Sequence, residues 1–217
     1  MTDTAPTAAA DGLRERKKRA TRDAILLAAR RLFMDKGFDD VTVAEIAAAA
    51  DVSEKTVFNH FPTKEDLALA GGEERLADVL EAIRTRPEGT PVIEVFRVAT
   101  LNLVDLIEHG DVEAFLAVPR MVRSSKTLRE RLPISWEREA AALTPVVAEA
   151  AGVAEDDVVA AIVARTLAWT NRMIFRRAFQ GLMAGEDRRA VATRLRAETE
   201  QVYDQLAAGL GGYGVQE

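Results

Sequence analysis

The stretch from Val41 to Lys64, VTVAEIAAAADVSEKTVFNHFPTK, leaves this chain the least conformational freedom. Thr42 followed three residues on by Glu45 forms a capping box, in which each side chain satisfies the other's backbone N–H, so a helix opens at Val43. Ile46, Ala47 and Ala50 give that helix one apolar face. Asp51 breaks it, because Asp tolerates a left-handed backbone better than most residues. Ser53 caps a second helix, which ends by Phe61 since Pro62 biases the residue before it away from helical geometry. Val57 and Phe61, four apart, face inward, while Lys55, Thr56, Asn59 and His60 point elsewhere. Helix, tight turn and helix with a polar outer face on the second is the layout of a major-groove reader.

The flanks support this unit. From Arg22 to Lys36, Ile25, Ala28, Ala29, Leu32 and Phe33 form an amphipathic stripe. Gly37 stops that helix as a left-handed C-terminal residue, and Phe38 and Val41 plug the same small core. Arg14–Arg22 (RERKKRATR) carries six basic residues and one acidic. It reads either as a solvated helix end or as an arm that reaches phosphates or the minor groove. Residues 1–12 are small, polar and expected to be disordered. Thr63 with Asp66 opens a fourth helix that runs to about Arg84. Lys64 in its first turn opposes the helix dipole, which points to an external anion. Gly71-Gly72 lies mid-helix, where each glycine costs about 1 kcal/mol relative to alanine. The pair reads as close packing or as a soft joint.

Arg86–Pro91 (RPEGTP) is the clearest linker. Beyond it only helical patterns occur, over about 92–109, 112–123, 125–151, 155–182 and 188–210, with Pro119, Pro133 and Pro145 expected to break or kink them. The fold class is therefore all-α: a three-helix helix-turn-helix head and a larger C-terminal helical body. The divisions expected are 1–12, disordered tail; 13–66, DNA-binding domain; 67–210, ligand-binding and dimerisation domain; 211–217, flexible tail.

Charge distribution agrees with a split of roles. The net charge is −6, yet residues 13–64 hold 11 Lys+Arg against 8 Asp+Glu, leaving 18 against 27 elsewhere. A mildly basic head on an acidic body suits a DNA-binding module joined to something that does not touch DNA. With no Cys there is no disulfide, thiolate nucleophile or cysteine metal site. The N-terminus lacks the pattern of a signal peptide and no apolar run approaches the roughly 20 residues that span a bilayer, so a cytoplasmic protein is expected. Enzyme chemistry finds no foothold. There are two His, no HExxH, no glycine-rich phosphate loop, and no carboxylate set for a di-iron bundle. No cofactor and no metal are expected.

The pattern TR-x2-IL-x-AA-x2-LF-x3-GF-x3-TV-x2-IA-x2-A-x-VS-x2-TVF-x-HF-x2-KEDL, from Thr21 to Leu67, resembles the N-terminal signature of TetR-family transcriptional regulators. It covers about a fifth of the chain, in register and without gaps. The resemblance implies that Thr21, Arg22, Thr42 and Lys64 meet the DNA backbone, and that Ser53, Lys55, Thr56, Phe58, Asn59 and His60 form the recognition helix and its cap. On chemical grounds Lys55 suits guanine O6/N7 and Asn59 suits adenine N6/N7. Two departures stand out: Phe58 lacks the phosphate-directed hydroxyl of the tyrosine usual there, and Asp51 replaces a turn glycine. The resemblance also implies a homodimer through the last two helices, for which Val158, Ile162, Thr166, Val191, Leu195 and Val202 are the candidates, with Trp169, Met173 and Leu206 extending the same stripes. It further implies a small-molecule pocket, with Phe96, Asn102, Leu106, Phe115, Met121, Trp136, Trp169 and Asn171 as candidates. The expected function is a repressor whose dimer binds a palindromic double-stranded operator and is released by a small apolar or amphipathic effector. An activator, or a helical dimer acting only through protein partners, are the alternatives.

Overall fold

In the computed structural model, which describes residues 7–210, every regular element is an α-helix. The order is α1 (Thr7–Lys36), α2 (Val43–Ala49), α3 (Glu54–His60), α4 (Lys64–Arg84), α5 (Val92–His109), α6 (Val112–Ser124), α7 (Lys126–Ala151), α8 (Val158–Met183) and α9 (Arg188–Leu210). Residues 1–6 and 211–217, most of the two expected tails, lie outside the described residues.

The first helix corrects the sequence reading. It starts at Thr7, not near Arg22, so residues 7–12 are helical and the basic stretch Arg14–Arg22 lies within the same helix. Ala8, Ala9 and Ala10 are strong helix formers, and the charged run after them needs no apolar stripe to continue a helix already nucleated downstream. The prolines do not break their helices. Pro119 sits inside α6, and Pro133 and Pro145 inside α7, yet both helices run on. Each proline forfeits one backbone bond, a loss that packing offsets, of α7 against α4 and α8 and of α6 against α7.

Three apolar clusters hold the molecule together. The head core joins Ile25, Leu26, Ala29 and Phe33 of α1 to Phe38, Val41, Ile46, Val57 and Phe61. Leu67–Ala70 of α4 and Leu128 of α7 complete it, so the expected 66/67 division falls within α4, whose first turns serve the head. Burying residues such as Ile25, Ile46 and Phe61 contributes about 1.5–3 kcal/mol each relative to exposure. The second cluster packs Ile83 of α4, Val92, Ile93 and Phe96 of α5, Leu143 and Val147 of α7, Val163 and Leu167 of α8, and Tyr203 of α9. The third packs Val104 and Ile107 of α5, Phe115 and Leu116 of α6, Ile174 of α8, and Val191 and Leu195 of α9.

Polar contacts fix the registers. Thr100 Oγ1 donates to the Phe96 carbonyl at 2.8 Å, so the Tyr203 hydroxyl at 3.0 Å donates to Thr100. Arg97 on the same helix reaches Glu200 and Asp204 of α9 at 2.7 Å each. The head is tied to the body in the same manner. Ser125 Oγ donates to Asp39 at 2.7 Å, and Asp66 accepts from Arg131 at 3.1 Å and Arg138 at 3.2 Å.

The expectation of no apolar run long enough to cross a bilayer also needs correction. By length and composition α8 would suffice, with mean hydropathy 1.2 over its most apolar window. Here one face of it packs against α5, α7 and α9, burying Val163, Ala164, Leu167 and Ile174, while Val158 and Ile162 stay exposed.

Candidate nucleic-acid interface

Local chemistry in the head holds α3 in one place. Thr42 caps α2, accepting from the Glu45 N–H at 3.2 Å, while Glu45 accepts from the Thr42 N–H at 2.8 Å and the Thr42 hydroxyl at 2.9 Å. Lys36 reaches the other oxygen of Glu45 at 2.7 Å. The Lys36 ammonium and then the Thr42 donors pull the Glu45 carboxyl down from 4.5 to about 2. After α2, Asp51 adopts φ 54, the left-handed value that a non-glycine residue rarely takes. The turn closes as the Val52 N–H donates to Ala47 O at 3.0 Å. Ser53 then caps α3, its Oγ accepting from the Thr56 N–H at 3.1 Å and lying 2.8 Å from the Thr56 hydroxyl. With Val57 and Phe61 buried at 1% and 2% exposure, the helix cannot rotate about its axis without losing its core contacts.

That anchoring leaves Lys55, Phe58 and Asn59 on the outer face. Their spacing of three and four residues puts them on one strip. All three are exposed, Phe58 at 47%, a large apolar group facing water on an otherwise polar face. Thr56 and His60 flank the strip half-buried. Burial, then the charges of Arg22 and Lys18, lower the His60 pKa below 6.5, so at neutral pH its ring is uncharged and both donates and accepts. The exposed residues Arg14, Arg16, Lys17, Lys18 and Arg19 of α1 supply positive charge on the same head.

The residues expected to meet the DNA backbone are engaged within the head. Thr21 Oγ1 donates to Lys17 O at 3.0 Å. Arg22 lies 4.3 Å above the Phe61 ring and pairs with Glu73 at 3.3 Å, bracing α3 against α4. Lys64 departs most from expectation. Its ammonium donates to Phe38 O and Val41 O at 2.9 Å each and sits 4.2 Å over the Phe38 ring. Two carbonyls and a ring face explain a lysine at this helix start, and no external anion is needed.

The sequence model of the bacterial regulatory proteins of the tetR family matches residues 25–70, which span α2, α3 and their packing partners. Over 152 residues the chain is 34% identical to the HTH-type transcriptional regulator TcmR of Streptomyces glaucescens, an alignment that spans 67% of each protein. The chain belongs to the TetR family of transcriptional regulators. It is also 29% identical over 114 residues to the HTH-type transcriptional repressor AcnR of Corynebacterium diphtheriae, spanning 51% of this chain and 54% of AcnR. Among solved structures, a TetR-family regulator from Streptomyces coelicolor superposes with a TM-score of 0.50 at 26% identity, covering 85% of this chain and 94% of that one.

In the TetR-family body the structure separates the residues expected to line a pocket. Phe96 lies in the second core cluster and Phe115 in the third. Met121 packs against the head core. Leu106, at 48% exposure, and Asn102 face outward on α5, so the Asn102 amide needs no buried partner. Trp136 and Trp169 meet edge to face, with ring centroids 6.3 Å apart, and Asn171 is half-buried. Two surface hollows among the described residues, of about 150 and 270 Å³, are lined by none of these eight.

The dimer candidates also divide. Val158, Ile162, Trp169 and Met173 stand exposed along α8 at 70%, 58%, 52% and 37%, with half-buried Thr166 among them. Val191 and Leu195 are a correction, since both are completely buried in the third cluster against α5 and α8 and serve this chain's own core. Val202 and Leu206 are half-buried. What the sequence did not reveal were the head–body ties, Ser125 to Asp39 and Arg131 and Arg138 to Asp66. Partners 65 to 86 residues apart carry no local signal.

Proposed function

We propose that this TetR-family regulator is a repressor that acts as a homodimer in the cytoplasm, placing one α3 from each copy in successive major grooves of a palindromic operator. The observation that carries this reading is the exposed strip Lys55–Phe58–Asn59 on a helix locked at both ends and along its inner face. Lys55 donates to guanine O6/N7, Asn59 pairs with adenine N6/N7, and the Phe58 ring meets a thymine methyl, each by the chemistry those groups favour. Thr42, Ser53, Thr56, His60 and Thr21 border the groove, and Arg22 and Lys64 hold the head in shape. One short helix reads too few bases for an operator, and pairing through the exposed α8 stripe supplies the second half-site.

Release follows a population shift. A small molecule bound in the body favours an arrangement of α4 in which the two heads no longer match the groove spacing, so its binding weakens operator affinity by its differential affinity for the two states. The functional division between head and body lies near Gly71–Gly72, within α4.

Selection from a pool of randomised duplexes tests the reading. Enrichment of an inverted repeat with half-sites about one helical turn or a multiple apart is the expected result. A pool that stays random after several rounds contradicts it and favours the partner-only alternative.

A further inference from the structure

The basic stretch of α1 has a role that the reader helix does not absorb. Arg14, Arg16, Lys17, Lys18 and Arg19 stand exposed, with Glu15 the one carboxylate among them. Their side chains make no hydrogen bond or ion pair with any described residue. Cations elsewhere behave differently, since Arg97, Arg177 and Arg196 are each held by carboxylates. The family model begins to match at residue 25, so this stretch lies ahead of the residues that define the helix-turn-helix.

Helical spacing fixes where these cations point. Ile25 and Ala29 are buried in the head core, and the face they occupy continues backwards through Arg22 and Lys18 to Arg14. Where the apolar core ends, the same face becomes cationic, with Lys17 at its edge. Arg22 lies 4.3 Å over the ring of Phe61, which directly follows α3. One turn further back, Lys18 comes close enough to act on His60, the last residue of α3. Burial first, then the charges of Arg22 and Lys18, hold its imidazole below the usual pKa. Thr7–Ala20 thus carry α1 about 20 Å beyond Thr21, past the C-terminal end of the reader. Arg14 and Lys18, like Lys18 and Arg22, are like charges four residues apart, pairs that weaken a helix. No described carboxylate relieves Arg14 or Lys18, so the partner that fits them is a polyanion outside the chain. His60 flanks the strip Lys55–Phe58–Asn59, and a duplex read by that strip brings its phosphates to this corner.

We propose that the helical extension of α1 is a second DNA contact, a phosphate clamp in which Arg14, Lys17 and Lys18 grip the duplex backbone flanking the half-site that α3 reads. It rests on the DNA-binding reading above and adds to it a part that is blind to sequence. Phosphate contacts position a protein without reading bases. Lysines and arginines that neutralise phosphates release counterions, which makes affinity depend on salt. Because the extension is one helix with the part of α1 anchored in the head core, the clamp stands in a fixed place relative to α3. It therefore sets register as well as affinity.

Binding of the full chain to a long scrambled duplex, followed by anisotropy across a salt series, tests the clamp without an operator. Replacing Arg14, Lys17 and Lys18 together with glutamine should lower the slope of log affinity against log salt by about 3 for each bound protomer. A fourfold rise in salt then costs the parent about fortyfold more than the variant, for each protomer. Arg16→Gln with Arg19→Gln removes two charges from the opposite face and should leave the slope within about 1 of the parent. Circular dichroism checks the fold of each variant. On a selected operator, the triple variant should discriminate against the scrambled duplex as well as the parent does. Equal slopes for parent and triple variant, or as large a drop in the Arg16 and Arg19 control, would overturn the clamp. The two readings fail separately. A parent that binds operator and scrambled duplex alike, with the slope change present, sinks the sequence-specific regulator and leaves the clamp standing. Intact discrimination with an unmoved slope sinks the clamp alone, and no binding to either duplex sinks both.

Discussion

Replacing Gly71 and Gly72 together with alanine tests what the joint in α4 is for. Both glycines sit inside a helix of 21 residues, Lys64–Arg84. Alanine is favoured over glycine at such a position by about 1 kcal/mol. A β-carbon at 71 would meet Arg30 Nη2 and Arg75 Nη1 at 3.7 Å, and one at 72 would meet Arg75 Nη2 at 3.9 Å. These are ordinary contacts with the ends of flexible side chains, so close packing does not demand glycine at either place. The double variant should therefore be more stable by about 2 kcal/mol. For a chain of this size that raises the melting temperature by about 4–8 °C, read by circular dichroism at one fixed protein concentration. If α4 must bend here for release, the same stiffening opposes the released state, and about 2 kcal/mol moves the effector midpoint about thirtyfold higher. Operator affinity without effector should hardly change. A lower melting temperature would refute the packing argument, and a higher one with an unmoved midpoint would refute the joint.

Three other substitutions probe separate parts of the account. Lys64→Met strands the Phe38 and Val41 carbonyls and should destabilise the head by about 1–3 kcal/mol. It should weaken all DNA sequences equally without lowering the salt slope, whereas loss of a phosphate contact would reduce that slope by about 1. Because the Glu45 carboxyl is depressed from 4.5 to about 2 in the folded head, its stabilisation is complete above pH 4.5 and is lost as pH falls toward 2. Acid titrations of the parent should show that loss, and those of Glu45→Gln should be flatter over the same range. Ile162→Asp places a charge on the exposed α8 stripe and should yield monomers by sedimentation, with operator binding lost. A variant that remains a dimer would move the interface elsewhere.

Where structure is set by near neighbours, the sequence could be read. The capping box of Thr42 and Glu45, the Ser53 cap and the left-handed Asp51 each depend on residues within four positions, and the α2–α3 boundaries follow from them. The start of α1 was not legible, because a helix extended by alanines and charged residues shows no apolar stripe. Long-range choices were hidden for another reason. The stripes on α8 and α9 look alike in sequence, yet Val158 and Ile162 face solvent while Val191 and Leu195 fill the protomer's core. A stripe records that a face is apolar and not what covers it. The same limit applied to Lys64, whose partners lie 23 and 26 residues away.

Fluorescence anisotropy with the selected operator and a scrambled competitor, over a range of salt concentrations, tests the central claim most directly. The account predicts that the parent discriminates between them by a factor of about a thousand or more. Affinity for both should fall steeply with salt. Lys55→Ala and Asn59→Ala should each cost about 1–3 kcal/mol of that discrimination. Equal affinity for operator and competitor, or discrimination untouched by either substitution, would contradict the assignment of α3 as the reader.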